Sequence, residues 1–157
     1  MKYRRYRFSK YDPLLRDGNG CYTGTDWTSV DDIGKIFGGK VLTQEDYEAV
    51  VGNYLDVVSY LMKRCGVGNM VVSMAEKHCD EPECSRNEGD VVDADEVRAI
   101  CRSMLEERFW CVLYSRDTHF MLDCGCDFYL HVICRELTRE EICYAERLGL
   151  FADRLPQ

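Results

Sequence analysis

The sequence contains little proline and histidine and no long apolar segment. Three prolines and three histidines occur among 157 residues. No apolar run approaches the ~18 residues that span a bilayer. The basic segment 1–8 is not followed by the apolar stretch of a signal peptide. We therefore expect a cytoplasmic protein that does not associate with a membrane.

The familiar catalytic and nucleotide-binding motifs are also missing from the sequence. Gly18-Asn19-Gly20 and Gly38-Gly39-Lys40 are glycine-rich, but neither matches a P-loop or a dinucleotide fingerprint. The acid pairs Asp31-Asp32 and Glu140-Glu141 fall at predicted helix starts, where carboxylates complement the helix dipole. No cysteine and histidine lie in the sequence context of a known nucleophile. We predict that the chain is not an enzyme and uses no cofactor.

Cysteine, in contrast, is abundant, with ten residues. A chain of this length can bury a core without disulfides or metal. Cys65 and Cys101 fall on apolar helix faces, and Cys111 lies inside an apolar run. Since a free cysteine packs as a small apolar side chain, we predict that most of these thiols are free and buried.

A metal site is an alternative interpretation of some of these cysteines. Its candidate ligands would be His78, Cys79 and Cys84 together with Cys124 and Cys126. Four residues separate the first pair and one residue separates the second, whereas zinc knuckles favour two C-x-x-C pairs. We therefore predict no metal, and a small Cys/His metal-dependent module or enzyme stays as the alternative.

Hydrophobic periodicity predicts an α+β protein with a mostly antiparallel sheet and helices packed on it. We expect one globular domain over residues 1–157, with the element order β-α-α-β-α-β-β-β-α. The strands are predicted at 3–11 and 70–74 and as a three-stranded meander over 109–134. The helices are predicted at 30–37, 44–65, 94–105 and 139–148, behind Ser29, Thr43, Asp93 and Thr138 as capping residues.

Charge is distributed unevenly along the chain, whose formal net charge is −8. Residues 1–16 carry six basic side chains and one acid, whereas residues 76–96 carry nine acids and two bases. The acidic stretch is either a solvated loop with a capped helix start or a docking surface for a basic partner. For the second interpretation we predict these contact residues: Asp80, Glu81, Glu83, Glu88, Asp90, Asp93 and Asp95.

The basic N-terminal strand offers a nucleic-acid alternative, since Tyr3, Tyr6, Phe8 and Tyr11 are able to stack on bases. The strongly acidic remainder of the chain repels phosphate. We therefore predict no direct binding to nucleic acid.

Three segments of the first third of the chain resemble a bacterial family of immunity proteins. Members of that family are encoded beside polymorphic or contact-dependent growth-inhibition toxins. The matching segments are Tyr6-Arg7-Phe8-Ser9-Lys10-Tyr11-Asp12-Pro13, Arg16-Asp17-Gly18-Asn19-Gly20 and Asp26-Trp27-Thr28-Ser29-Val30-Asp31-Asp32-Ile33-Gly34-Lys35. The opening of the long helix, Leu42-Thr43 and Tyr47, also fits.

This resemblance implies a protein that binds a cognate toxin domain and neutralises it. It carries over no active-site residue, and it implies that Asp17, Asn19, Trp27 and Ser29 specify turns and caps. The toxin's activity stays open, and the acidic surface makes us favour a nuclease. A regulatory adaptor without a toxin partner is the remaining alternative.

Overall fold

The structure, a computed structural model, describes residues 1–77 and 86–156. These residues form nine strands and three α-helices. In chain order they are β1 (Tyr3–Ser9), β2 (Ile36–Phe37), β3 (Lys40–Val41), α1 (Gln44–Arg64), β4 (Met70–Lys77), β5 (Val91–Val92), α2 (Ala94–Leu105), β6 (Phe109–Ser115), β7 (Phe120–Gly125), β8 (Tyr129–Arg135), α3 (Arg139–Arg147) and β9 (Phe151–Arg154).

Seven of these strands form one sheet in the order β5-β4-β6-β7-β8-β1-β9, and every pair is antiparallel. Strands β2 and β3 form a separate hairpin. The helices pack together on one face of the large sheet, over a core that includes Phe8, Phe109 and Leu122. The predicted α+β class with a mostly antiparallel sheet is thus confirmed.

The helix boundaries follow from capping residues in the sequence. Thr43 accepts a hydrogen bond from the Asp46 amide at the start of α1. Capping boxes begin the other two helices, since Asp93 pairs with Glu96 and Thr138 with Glu141. The predicted helices over 44–65, 94–105 and 139–148 are therefore confirmed to within a residue.

The predicted helix over 30–37 is wrong. Ser29 does begin a capped helical turn, but that turn is a single 3-10 turn over Val30–Asp32. Gly34 then takes a φ of +92°, which ends the helix. Gly38 and Gly39, with φ of +57° and +77°, form the turn of the β2–β3 hairpin. Two successive positive φ values match the twist of a two-residue hairpin, so this glycine pair marks a hairpin and not a helix stop.

Several residues that carry the family resemblance stabilise local turns or pack in the core. The Asp17 carboxylate accepts from the amides of Asn19 and Cys21, and the Ser29 hydroxyl accepts from the Asp31 amide. Trp27 is buried in the core. The predicted turn and cap roles are confirmed for Asp17 and Ser29, whereas Trp27 is a core residue and Asn19 takes part in the turn through its backbone amide.

Trp27 belongs to an aromatic cluster around the turn between β7 and β8. At that turn Asp127 and Phe128 both have positive φ, +60° and +63°. The Phe128 ring is fully buried and makes edge contacts with Trp27, Tyr47 and Tyr54 at centroid distances of 5.0–6.0 Å. A bulky residue rarely adopts this conformation, and the surrounding rings hold it there.

Candidate functional site: the open face of the sheet

The two faces of the large sheet have different surroundings. Side chains that point toward the helices are buried, in strict alternation along β6, β7 and β8. Side chains on the opposite side are half-buried or exposed. No helix of the described residues packs over this second side, which we call the open face.

A row of four apolar side chains, ended by an arginine, crosses five strands of the open face; we call it the apolar row. Strand pairing places Val71 opposite Tyr114, Tyr114 opposite Met121, and Met121 opposite Ile133. Arg5 of β1 lies opposite Ile133 and ends the row. Met121 is 37% exposed, and Arg5 is also exposed. Directly opposed side chains on one face lie within contact distance, so the row is continuous.

A charged row lies beside the apolar row. Its members are Asp123, His131, Arg7 and Asp153, which occupy paired positions on β7, β8, β1 and β9. Nδ1 of His131 lies 3.2 Å from Oδ1 of Asp123, and Nη2 of Arg7 lies 3.1 Å from Oδ2 of Asp153. Both pairs are half-buried.

Depressions in the surface follow the two rows. The central one, of about 90 Å³, is lined by side chains of both rows and by Val112. A second lies at the β6–β7 turn and is lined by Tyr114, Arg116, His119 and Met121. Tyr3 packs against the His119 ring at a centroid distance of 5.1 Å and so extends the aromatic surface toward β1.

Of the predicted acidic surface, the structure describes Glu88, Asp90, Asp93 and Asp95, which lie around β5 and the start of α2. Asp80, Glu81 and Glu83 lie outside the residues that the structure describes. Glu88 is exposed and lines a depression of about 450 Å³ that reaches Val71 and Tyr114 of the apolar row. Among the predicted acids that the structure describes, Glu88 therefore adjoins the open face.

The other predicted acids hold local structure or face solvent. The Asp90 carboxylate accepts from the Asn87 amide at 2.9 Å, and Asp93 is the N-cap of α2. Asp95 is exposed in the first turn of α2, where its charge complements the helix dipole. We call Glu88, Asp90, Asp93 and Asp95 the acidic edge.

The cysteines offered for a metal site have unlike surroundings. Cys124 is buried, and a hydrogen bond to Cys101 together with burial raises its pKa well above the ordinary value. Cys126 is exposed, while His78, Cys79 and Cys84 lie outside the described residues. Within 1–77 and 86–156, no three His, Cys, Asp or Glu side chains cluster as a metal site would require.

The nucleic-acid alternative required exposed aromatic side chains on the N-terminal strand. Tyr6, Phe8 and Tyr11 are each at most 2% exposed and belong to the interior. Only Tyr3 of the four lies on the open face, half-buried. The strand therefore offers one aromatic side chain for stacking on bases.

The open face was not among the predicted site residues. The signal for it was present in the alternation of β6, β7 and β8, where apolar Val112, Met121 and Ile133 occupy the positions that face away from the core. In an antiparallel sheet with one solvated face, those positions are normally polar.

No family model, curated protein or solved structure matches this chain. Among the described residues, no helix combines the length and the apolar character that crossing a membrane requires.

Proposed function

We propose that this chain is an immunity protein that binds a cognate bacterial toxin domain and blocks the toxin's active site or substrate surface. The observation that carries the proposal is the apolar row of the open face, which adjoins Glu88 of the acidic edge. The toxin class that we propose is a nuclease, and the cell compartment is the cytoplasm.

The composition of the open face supports a protein partner. Tyrosine, methionine and arginine are enriched at protein interfaces, and here Tyr114, Met121 and Arg5 share one row with Val71 and Ile133. A contiguous apolar surface with a polar rim marks an interaction site more often than a scattered set of exposed apolar residues.

Charge complementarity supports a basic partner. The chain carries −8 overall, and Glu88 presents an exposed carboxylate next to the open face. A nuclease domain has a basic groove for the phosphate backbone, and an acidic surface docked there competes with the substrate. Complementary charge also speeds association, which an inhibitor of a lethal enzyme needs.

The resemblance of residues 6–35 to immunity proteins fits the same proposal. Asp17 and Ser29 accept hydrogen bonds within local turns, and Trp27 packs in the core. Such residues stabilise the scaffold, whereas we propose that the open face and the acidic edge contact the toxin.

Two alternatives predict different behaviour. A Cys/His metal-dependent module or enzyme would lose its activity when Cys124 and Cys126 are replaced by serine, whereas an immunity protein would still protect. A regulatory adaptor would bind a partner that is not a toxin, so it would protect no cell.

The decisive experiment is co-expression with the toxin domain encoded beside this gene. We expect the chain to restore growth to cells that express the toxin and to co-purify with it. Glu88→Lys should weaken binding by about tenfold, roughly 1.4 kcal/mol, mainly through slower association, and salt should diminish the effect.

Glu146→Lys is the matched control, because Glu146 is an exposed helical acid of α3 on the covered side of the sheet. It changes the net charge by the same amount and should leave affinity unchanged. Equal losses from both variants would show an effect of net charge alone and exclude the acidic edge. Absence of protection by the unmodified chain would overturn the proposed function.

A further inference from the structure

The two ends of the apolar row carry opposite charges. At one end Arg5 of β1 is exposed. At the other end Val91 of β5 lies opposite Val71 and is 64% exposed, so it continues the row onto a sixth strand. The exposed side chain of Glu88 lines the depression that contains Val91 and Val71. In the described part of the chain neither Arg5 nor Glu88 forms an ion pair, so a cation and an anion are left at opposite ends.

The side chains of the row are arranged symmetrically about its middle. From β5 to β1 their order is Val91, Val71, Tyr114, Met121, Ile133 and Arg5. The midpoint therefore lies between β6 and β7, with the large side chains of Tyr114 and Met121 on either side of it. Val71 and Ile133 are the next pair outward, and both are β-branched. The apolar part of the row thus presents matching side chains when it is followed in either direction.

Two copies whose open faces pack together are related by a twofold axis that lies between the two sheets. Sheets that pack face to face keep their strands roughly aligned, so the axis runs either along the row or along the strands. An axis along the row brings Arg5 over Arg5 of the second copy. An axis along the strands reverses the second row, and Arg5 then faces the Glu88 end of the second copy. Since like charges in contact are costly and opposite charges are favourable, the charges select the reversed arrangement.

We propose that this chain, when free, forms a twofold-symmetric dimer in which two open faces pack together with their apolar rows reversed. Each Tyr114 lies over Met121 of the second copy, and a methionine sulfur packs favourably against an aromatic ring. Each Val71 lies over Ile133 of the second copy. Arg5 pairs with Glu88 of the second copy at both ends, where an interface rim is normally polar. Every contact occurs twice, as an isologous interface requires.

The length of the row limits the strength of this dimer. Neighbouring strands lie about 4.8 Å apart, so six strands span roughly 24 Å. A patch of that length and only a few side chains wide belongs with interfaces below about 1,200 Å², which are weak and transient. We therefore expect a dissociation constant on the order of 10 µM. Unfolding measurements at or below about 1 µM then report on the monomer alone.

The dimer and the immunity function are tested separately. The dimer requires no toxin, and it forms or fails to form in the free chain. Because the proposed toxin contacts the same open face, dimer formation and toxin binding exclude each other.

Sedimentation equilibrium of the unmodified chain tests the proposal, with dithiothreitol present because Cys21 and Cys126 are exposed thiols. The average mass should rise from 18.3 kDa toward twice that value as the concentration passes the dissociation constant. Met121→Glu should weaken the dimer at least about tenfold, because it places a carboxylate in the middle of the interface. Ile36→Glu adds the same charge on the β2–β3 hairpin and should leave dimer formation unchanged. A monomer at every concentration, or equal losses in the two variants, would overturn the proposal.

A pair of charge reversals tests the orientation of the two copies. Arg5→Glu and Glu88→Lys should each weaken self-association by about tenfold, because each variant creates two contacts between like charges. An equimolar mixture of the two variants should dimerise as well as the unmodified chain, since the new acid of one copy faces the new lysine of the other. Circular dichroism verifies that both variants fold. A mixture that stays monomeric, or single variants that dimerise as strongly as the unmodified chain, would contradict the reversed arrangement and overturn the proposed dimer.

Discussion

The hydroxyl of Tyr54 donates a hydrogen bond of 2.7 Å to the backbone oxygen of Phe128. The same hydroxyl accepts one of 2.9 Å from the Lys10 amide. Tyr54 lies on α1, Phe128 lies in the turn between β7 and β8, and Lys10 follows β1. One buried side chain thus joins a helix, the end of a strand and a turn whose backbone has positive φ. This bond fixes the turn, because the carbonyl of Phe128 is shielded from water and needs a donor.

Replacement of Tyr54 by phenylalanine should destabilise the fold by about 1–3 kcal/mol, since it leaves a buried carbonyl and a buried amide without a partner. The midpoint of urea unfolding measures the loss. Tyr60→Phe is the control, because the Tyr60 ring stacks on Tyr144 at the surface and is half-exposed. It should change stability by less than about 0.5 kcal/mol. Equal losses in the two variants would contradict a special role for the Tyr54 hydroxyl.

The sequence predicts those parts of the fold that depend on local signals. Thr43, Asp93 and Thr138 cap the three helices, as expected from residue type and spacing, and the meander follows from alternation along β6, β7 and β8. The helix predicted over 30–37 is wrong. Ser29 and Asp32 do make a capping box, but Gly34 ends the helix after one turn.

Other elements depend on contacts between distant parts of the chain. The two-residue strand β5 exists because Val91 and Val92 pair with Val71 and Met70 of β4. Strand β9 forms on β1, some 145 residues away in the sequence, where Arg7 pairs with Asp153. No local pattern indicates either pairing.

The candidate site also combines residues that local sequence signals indicate with residues that only the strand register brings together. Charge density along the sequence indicated the acidic edge, and the structure places Glu88 there, beside the apolar row. The row itself was missed because Val71, Tyr114, Met121, Ile133 and Arg5 come from five strands, and only the strand register brings them onto one line. A sequence shows which residues alternate, but it does not show which of the two faces the helices cover.

The free energy of unfolding should fall at acid pH because of Glu141. Its carboxylate is buried and accepts from Arg135 and from the Thr138 amide, and these bonds lower its pKa from an ordinary 4.5 to about 2. Because the pKa of this carboxyl group is lower in the folded state than in the unfolded state, the carboxylate stabilises the fold fully above the unfolded-state pKa. This stabilisation is lost as the pH falls toward the folded-state pKa. The contribution at neutral pH is on the order of 3 kcal/mol.

Urea unfolding from neutral pH down to about pH 3 measures this loss of stability, which should begin near the pKa of the carboxyl group in the unfolded chain. Glu141→Gln should lower stability at neutral pH and flatten the decline between about pH 4.5 and 2. Glu140→Gln is the neighbouring control, because Glu140 is exposed and lies 3.8 Å from Nη2 of Arg64. Parallel pH curves for the unmodified chain and Glu141→Gln would contradict the prediction.

Alkaline unfolding should be coupled to the ionisation of buried tyrosines. Burial raises the pKa of Tyr11, Tyr47 and Tyr54 above the ordinary value of 10.0. Because the pKa of these tyrosines is higher in the folded state than in the unfolded state, their contribution to stability is present below the unfolded-state pKa. It is lost as the pH rises above that value. We therefore expect the fold to weaken steadily above about pH 10.

Tyrosinate absorbance and near-ultraviolet circular dichroism, recorded on one sample, check this coupling. Tyr11, Tyr47 and Tyr54 should ionise only together with collapse of the dichroism signal, because burial raises the pKa of each. Complete ionisation of all ten tyrosines in a molecule that keeps its dichroism would contradict the assigned burial.

Met121 should be a main contact of the open face, because it lies in the middle of the apolar row, between Tyr114 and Ile133. Met121→Glu places a carboxylate where an apolar partner is expected to pack, so toxin-domain binding should weaken by at least about tenfold. The side chain is already 37% exposed, so the free energy of unfolding should change by less than about 0.5 kcal/mol.

Ile36→Glu is the matched control for this substitution. Ile36 is an apolar residue that is 68% exposed on the β2–β3 hairpin, outside the seven-stranded sheet. Titration calorimetry against the toxin domain should show a loss for Met121→Glu and none for Ile36→Glu. Because both variants add the same charge, a difference between them arises from the place of the side chain. If both bind as tightly as the unmodified chain, the toxin does not contact the open face, and the acidic edge alone would have to supply the interface.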